Sequence, residues 1–358
     1  KSLQGDRLTF EERHLDWGMT FRATWAPSDT FGWVRRVEVI DTSGAPADLE
    51  VLDGLLDVMP AGIDAHTEQI RSNLADAYKR SEVGEWGTLA VFSIEALIID
   101  RAEPGESLTA TTVWSDGLDG LDGATIDLDE RAVVAMLRGR PTPSAHLVTG
   151  RAGAYLLRAP IRLEAGGRAD WTIVADTDSS QGDVRRLART AGDPGAPDRV
   201  REDVEAGSRR LRELLAGADG FQSTADPVAD AHHLSNVLFN CMRGGVFPFD
   251  QRVPSGDLAA FVAGANAAVL QRHRAWLSEL DEWVDEVDLR DAADATGDPD
   301  LIRLVLEYLP LTFSRRHGDP SRPWNRFSIN VRDAGGEPLL AYEGNWRDIF
   351  QNWEALLA

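Results

Sequence analysis

The feature that most constrains this chain is a change of hydrophobic period near residue 180. From Leu8 to about Asp178, apolar residues alternate with polar ones or come in short bursts between turn residues. In "WVRRVEVIDTSG", Val37 and Val39 take one side of a strand and Glu38 the other, before a polar turn. "LIIDRAEPGESLTATTVW" carries a turn at Glu103 to Glu106 between two strand-like runs. "GAYLLRAPIRLEAGGRADWTIVAD" reads as a second hairpin, around Glu164 to Arg168. Hairpins in series predict an antiparallel sandwich. One segment, "DAHTEQIRSNLADAYKRSE", spaces Ile70, Leu74 and Tyr78 as a helix does and predicts a single surface helix.

The next stretch, "DSSQGDVRRLARTAGDPGAPDRVRED", is rich in Gly, Pro, Asp and Arg and marks a boundary between about Asp178 and Pro197. Beyond it the spacing is helical. Val200, Val204, Leu211, Leu214 and Leu215 form one apolar stripe. Val237, Leu238 and Met242 belong to a further helix, which Gly244 and Gly245 should stop with a left-handed cap. Asp257 is placed to cap a long helix whose apolar side holds Leu258, Phe261, Val262, Leu277, Leu280 and Val284. The helix in "DPDLIRLVLEYL" is expected to end at Pro310.

Charge narrows the function classes. The 59 acidic residues against 37 Lys and Arg leave a net charge of −22, which repels nucleic acid and anionic membranes. The apolar run from Leu258 to Leu270 is interrupted by Gly264 and Asn266, and no run approaches the roughly 18 residues of a membrane span. A single cysteine, Cys241, excludes an internal disulfide and a thiolate metal cluster. It lies among apolar residues, where an inert buried thiol is expected. The amino end, "KSLQGDRLTF", has neither an apolar signal core nor a small-residue cleavage pattern, so a cytoplasmic location is the default expectation.

Candidate chemistry concentrates late in the sequence. If a helix opens after Asn345 in "GNWRDIFQNWEALLA", then Trp346, Ile349, Phe350 and Trp353 share an apolar face, and Arg347, Asp348 and Gln351 lie opposite. Asn345 with Asp348 is also a helix-capping pair, which explains the same residues without any ligand. The functional alternative is sugar binding: a carboxylate acceptor beside a guanidinium donor satisfies vicinal hydroxyls, and aromatics stack on the ring. "LPLTFSRRHGDPSRPWNRFSI" adds Arg315, Arg316, His317 and Trp324 around a turn, a loop suited to an anion or a sugar. Its arginines would equally serve as partners for the many acidic residues.

Other sites are weaker. "FNCMRGGVFPFDQRVPSGDL" departs from every phosphate-loop spacing. His232 and His233 are adjacent and diverge on a helix, and His14, His66, His146 and His273 have no neighbour in sequence that nominates them. There is no HExxH, CxxC or EF-hand spacing and no G-x-S-x-G elbow, so no metal or cofactor is expected. Trp17, Trp25, Trp33 and Trp114 are candidates for a carbohydrate surface if exposed, with core positions the favoured expectation.

The order of parts, closing on "GNWRDIFQNWEAL", resembles the inverting disaccharide phosphorylases of the cellobiose-phosphorylase type. More widely it resembles glycoside hydrolases and phosphorylases that join an N-terminal β-sandwich to an (α/α)6 barrel. In that family an Arg-Asp pair, followed by an aromatic or small residue and then Gln, opens the barrel, and its Asp holds the sugar. Arg347, Asp348 and Gln351 match the pattern, whereas Tyr342 stands where the family has a further arginine. The resemblance implies an α+β chain: an antiparallel β-sandwich over 1–180, a helical linker over 181–310, and the start of a helical barrel over 311–358. It implies phosphorolysis or hydrolysis of an oligosaccharide, with inorganic phosphate as co-substrate in the first case. The family's general acid lies well downstream of the Arg-Asp helix, so these residues are expected to be the N-terminal part of a longer enzyme, its catalytic acid elsewhere. A homodimer, or association with the remaining catalytic polypeptide, is the implied assembly. Two alternatives stand beside this: a complete non-catalytic carbohydrate-binding or assembly protein, and a self-sufficient hydrolase using paired carboxylates.

Overall fold

Strands β1 (Leu8–His14), β2 (Met19–Ser28), β3 (Gly32–Asp41) and β4 (Ala47–Val58) open the chain in a computed structural model. β5 (Lys79–Val83), β6 (Ala90–Ile94), β7 (Thr109–Asp116), β8 (Thr125–Asp127), β9 (Leu147–Thr149), β10 (Gly153–Leu163) and β11 (Arg168–Ser180) follow, with helix α1 (Arg131–Leu137) before β9. The structure describes residues 1–63, 75–84, 87–94, 109–117, 123–140, 143–217, 220–242 and 252–313. The strands form an eight-stranded antiparallel sheet, ordered β1-β2-β3-β11-β7-β6-β5-β9, and a three-stranded one, ordered β4-β10-β8. Val37, Val39, Trp171 and Ile173 from the large sheet bury against Leu157 and Ile161 from the small one, in a single core. With the helices that follow, the chain is α+β. On β3 the alternation is as expected, Val37 and Val39 buried and Glu38 half-exposed.

The expected hairpin around Glu164 is not a hairpin. β10 pairs with β4 and β8, whereas β11 pairs with β3 and β7, so the connection carries the chain from one sheet to the other. Both strands present alternate apolar residues to one core, and placing them in opposed sheets buries both sets face to face. The crossing is tight. Gly166 adopts φ +70°, which disfavours a side chain, and the Gly167 amide donates to the Glu164 carbonyl at 2.7 Å. Asp41, at the end of β3, secures it: its carboxylate accepts from the Gly166 amide at 2.7 Å and its own amide donates to Gly167 O at 2.9 Å. The Ser43 hydroxyl, the Gly166 amide and the Ser43 amide hold the Asp41 carboxyl down at about 2.

The segment in which the boundary is expected opens with a helix. Ser180 caps α2 (Gln181–Ala191) in a reciprocal box with Asp183, whose carboxylate accepts from the Ser180 amide at 2.9 Å. α3 (Ala196–Gly217) follows. Val184 and Leu187 of α2 and Ala196 and Val200 of α3 bury with Val34 and Trp114, closing the other face of the large sheet at one end. On the expected stripe of α3, Val200 and Leu215 are buried but Leu214 is exposed. By packing, the chain divides into Lys1–Arg209 and Arg210–Ala358.

Within the second unit, α4 (Pro227–Met242) precedes a module with its own core. The module contains β12 (Arg252–Pro254), α5 (Ser255–Ala265), α6 (Ala267–Arg272) and α7 (Arg274–Glu279), then β13 (Trp283–Asp285), α8 (Glu286–Ala295) and α9 (Pro299–Phe313). The single long helix expected from Asp257 is therefore three short ones and a strand. Asn266 breaks it: at φ −155° it is extended, and its side chain accepts from the Ala268 and Val269 amides at 3.0 and 3.2 Å to start α6. Asp257 makes no N-cap; it lies in the first turn of α5 and accepts from the Tyr308 hydroxyl at 2.7 Å. α9 runs past Pro310 to Phe313, since a proline late in a helix removes one amide donor without preventing a last turn.

Several expectations fall outside the described residues: the turn at 103–106, the stop at Gly244 and Gly245, and the Cys241 side chain. Of the helix expected around Ile70 and Leu74, residues 75–78 are described and are helical. No helix among the described residues is long and apolar enough to cross a membrane, and no cluster of three metal-ligating side chains occurs among them.

Candidate functional site

Asp348, Arg347, Gln351, Arg315, Arg316, His317 and Trp324, the residues expected to meet a sugar, all lie outside the described residues. The four candidate tryptophans of the sandwich, Trp17, Trp25, Trp33 and Trp114, are described, and they divide. Trp114 is 1% exposed and meets Phe31 edge-on at 6.3 Å, as expected of a core aromatic. Trp17 is 69% exposed at the β1–β2 turn, stacked on His14 at 4.1 Å. Trp33 is 57% exposed and Trp25 half-buried. For Trp17 and Trp33, therefore, the core expectation fails.

Strand register shows what surrounds Trp25 and Trp33. Leu8 of β1 stands opposite Trp25 of β2, which stands opposite Arg35 of β3; Phe10 stands opposite Ala23, and Pro27 opposite Trp33. Side chains alternate along each strand, so Phe10, Trp25 and Trp33 share the sheet face that carries the buried Val37 and Val39. The face is closed at Ala23 and Val37, which are buried, and open at Phe10 and Trp33, each 57% exposed. Phe10, Trp25 and Trp33 lie on a diagonal across three adjacent strands, each step about 7–8 Å between neighbours of this kind. On the opposite face of the same strands, away from the buried Ala26 and Val34, Arg22 donates to Glu11 at 2.7 Å and to Glu38 at 3.4 Å.

Beneath this strip a buried charge pair joins the sheets. Arg35 of β3 donates through both terminal nitrogens to Asp53 of β4, at 2.6 and 2.7 Å. The Trp171 indole N–H donates to the same carboxylate at 2.7 Å. Both charged residues are under 10% exposed, and the bidentate geometry with a third donor is what makes such burial tolerable. The Arg35 guanidinium also lies 5.9 Å from the centre of the Trp25 ring, holding that indole from one side. Sequence reasoning missed this network. The available signal was Arg35 itself, at the same strand parity as Val37 and Val39 and so facing the core.

The carboxyl of Asp176 is pushed up by burial, with Asp178 and Asp183 nearby adding to the effect. Asp183, however, is committed to the Ser180 cap and to Arg186 at 2.8 Å. The gap lined by Val51, Leu157, Ala159, Ile161 and Trp171 is apolar and carries no acid or base. In the helical module, Asp298 meets His273 Nε2 at 2.7 Å and Arg272 at 3.0 Å. These contacts and the Asp300 amide hold its carboxyl well below the usual range, at the start of α9. His273, without a partner visible in sequence, thus has one 25 residues away.

A family model, that of the glycoside hydrolase family 149 insertion domain 1, matches residues 249–310. The matched stretch contains the module whose core runs from Val253 to Tyr308. No curated protein matches the chain in sequence. Among solved structures, a bacterial glucoamylase complexed with acarbose is 10% identical at a TM-score of 0.32, covering 85% of this chain and 49% of its own. A galactose mutarotase-like protein from Clostridium acetobutylicum is 8% identical at a TM-score of 0.19, covering 48% of this chain and 61% of its own. The chain thus spans about half the length of that glucoamylase, and similarity at these scores fixes neither fold nor function.

Proposed function

We propose that this chain is the N-terminal portion of an enzyme acting on the glycosidic bonds of an oligosaccharide. The observation that carries this reading is the match of a glycoside hydrolase family's insertion domain to residues 249–310, a stretch with a hydrophobic core of its own. Two features support it: a large antiparallel sheet precedes that module, and Arg347, Asp348 and Gln351 resemble the motif that opens the barrel of inverting phosphorylases. On this reading 1–180 is the sandwich domain, 181–310 the connecting helical region and 311–358 the start of the catalytic barrel.

The chemistry proposed is single displacement with inversion. A carboxylic acid on the barrel, downstream of Asp348, protonates the leaving oxygen. Inorganic phosphate or an activated water attacks the opposite face of the sugar. Asp348 and Arg347 bind hydroxyls of the sugar beside the scissile bond, and no cofactor is required. The cytoplasm remains the proposed setting, and a homodimer or association with the remaining catalytic polypeptide the proposed assembly. The test uses polypeptide that includes the barrel, incubated with oligosaccharides with and without inorganic phosphate. Sugar 1-phosphate identifies phosphorolysis, and free sugar in both conditions identifies hydrolysis. Asp348→Ala should abolish sugar binding in calorimetry while leaving the thermal midpoint in place; unchanged binding removes the site assignment, and absence of any cleavage removes the reading.

A further inference from the structure

We infer that Phe10, Trp25 and Trp33 form a non-catalytic platform for an uncharged oligosaccharide. The three rings come from three adjacent strands and follow one diagonal of the sheet, with Phe10 and Trp33 each 57% exposed. Two diagonal steps cover about 15 Å, more than one sugar ring, so the ligand is a chain of several sugars rather than a monosaccharide. Sugar rings present C–H faces that stack on flat aromatic surfaces, and Glu12, on the same face as Phe10 and exposed, is an acceptor for hydroxyls.

Two further observations select this occupant. Trp25 is not loose: the Arg35 guanidinium lies 5.9 Å from its ring and is itself locked by both oxygens of Asp53, so little side-chain freedom is lost on binding. The second observation is charge. The platform rings are uncharged in a chain of net charge −22, while β1, the edge strand that supplies Phe10, also carries Glu11, Glu12 and Arg13. A second copy would bring the same −22 and the same charged edge, which opposes strand addition. A neutral glycan meets no such repulsion. The platform shares no residue with Asp348 and stands whether or not the catalytic reading does.

The test is native affinity electrophoresis of the 358-residue chain in gels containing laminarin, soluble starch, hydroxyethyl cellulose or galactomannan, with polygalacturonate as the anionic control. At least one neutral polysaccharide should retard the protein. Trp33→Ala should weaken retardation about tenfold, the loss of one stacked ring, and Trp33→Phe should restore most of it. Phe10→Ala with Trp33→Ala should abolish it, and Trp17→Ala, off the diagonal, should leave it unchanged. Near-ultraviolet circular dichroism establishes that each variant is folded. The inference is overturned if no neutral polysaccharide retards the folded protein, or if the double variant is retarded as strongly as the wild type. It is also overturned if sedimentation shows a dimer that Trp33→Ala dissolves, since a second copy would then occupy the face. Asp348→Ala should not alter retardation, which separates this test from that of the catalytic site.

Discussion

Asp53→Ala isolates the interaction that joins the two sheets. In the native protein the Asp53 carboxylate takes two hydrogen bonds from Arg35 and one from the Trp171 indole, in a site under 10% exposed. Removing it leaves a guanidinium buried without its counter-charge, which costs about 3–5 kcal/mol, and an indole N–H unsatisfied, which costs about 1–3 kcal/mol. One carboxylate serves both donors and the losses overlap, so the expected destabilisation is about 4 kcal/mol. For a unit of this size each kcal/mol lowers the midpoint by about 2–4 °C, giving a fall of about 8–16 °C. Urea unfolding followed by tryptophan fluorescence measures it. Arg35→Met with Asp53→Leu should recover most of the loss, because replacing a buried pair with apolar side chains is often neutral. A cost below about 1 kcal/mol for Asp53→Ala would refute the reasoning, since it would mean that water reaches Arg35.

Three further outcomes are expected. The Asp41 carboxyl is lowered from its ordinary 3.8 to about 2, so its contribution is complete above about pH 4 and lost as pH falls through 2; the thermal midpoint of Asp41→Asn should fall less steeply than wild type across that window. Tyr155→Phe removes a buried hydroxyl that donates to the Thr88 carbonyl at 2.8 Å and pairs with Ser115 at 2.7 Å, and should cost about 1–3 kcal/mol in urea unfolding. Asn266→Ala removes the cap of α6 and should cost about 1 kcal/mol, read as faster amide exchange at Ala268 and Val269.

The helical module connects these local effects to the functional reading. Its core side chains Leu258, Val262, Leu289, Leu301 and Tyr308 come from three helices, and the family match covers the same stretch. The short helices arise because Asn266 competes for the backbone amides that a continuous helix would use internally. Apolar spacing marked Leu258 and Val262 as core, but an apolar count does not register such a competitor. The residues expected to bind sugar, from Arg315 to Gln351, lie outside the described residues.

Period marked the first part of the chain as mainly strand and the second as mainly helix, because side-chain alternation is a property of a few consecutive residues. It placed Val37 and Val39 inward and Glu38 outward without knowledge of any partner. The tertiary structure decided the rest. β10 and β11 both carry alternating apolar residues, yet only their pairing with β4 and β3 assigns them to different sheets. Trp33 and Trp171 are both indoles on strands, yet Trp33 is 57% exposed and Trp171 1%, because the small sheet covers Trp171 and leaves Trp33 open. Arg35 and Asp53 sit 18 residues apart, and His273 and Asp298 sit 25 apart. Burial and ion pairing are contacts between distant segments, so they are set by which surfaces the fold brings together, and a local pattern carries no record of that meeting.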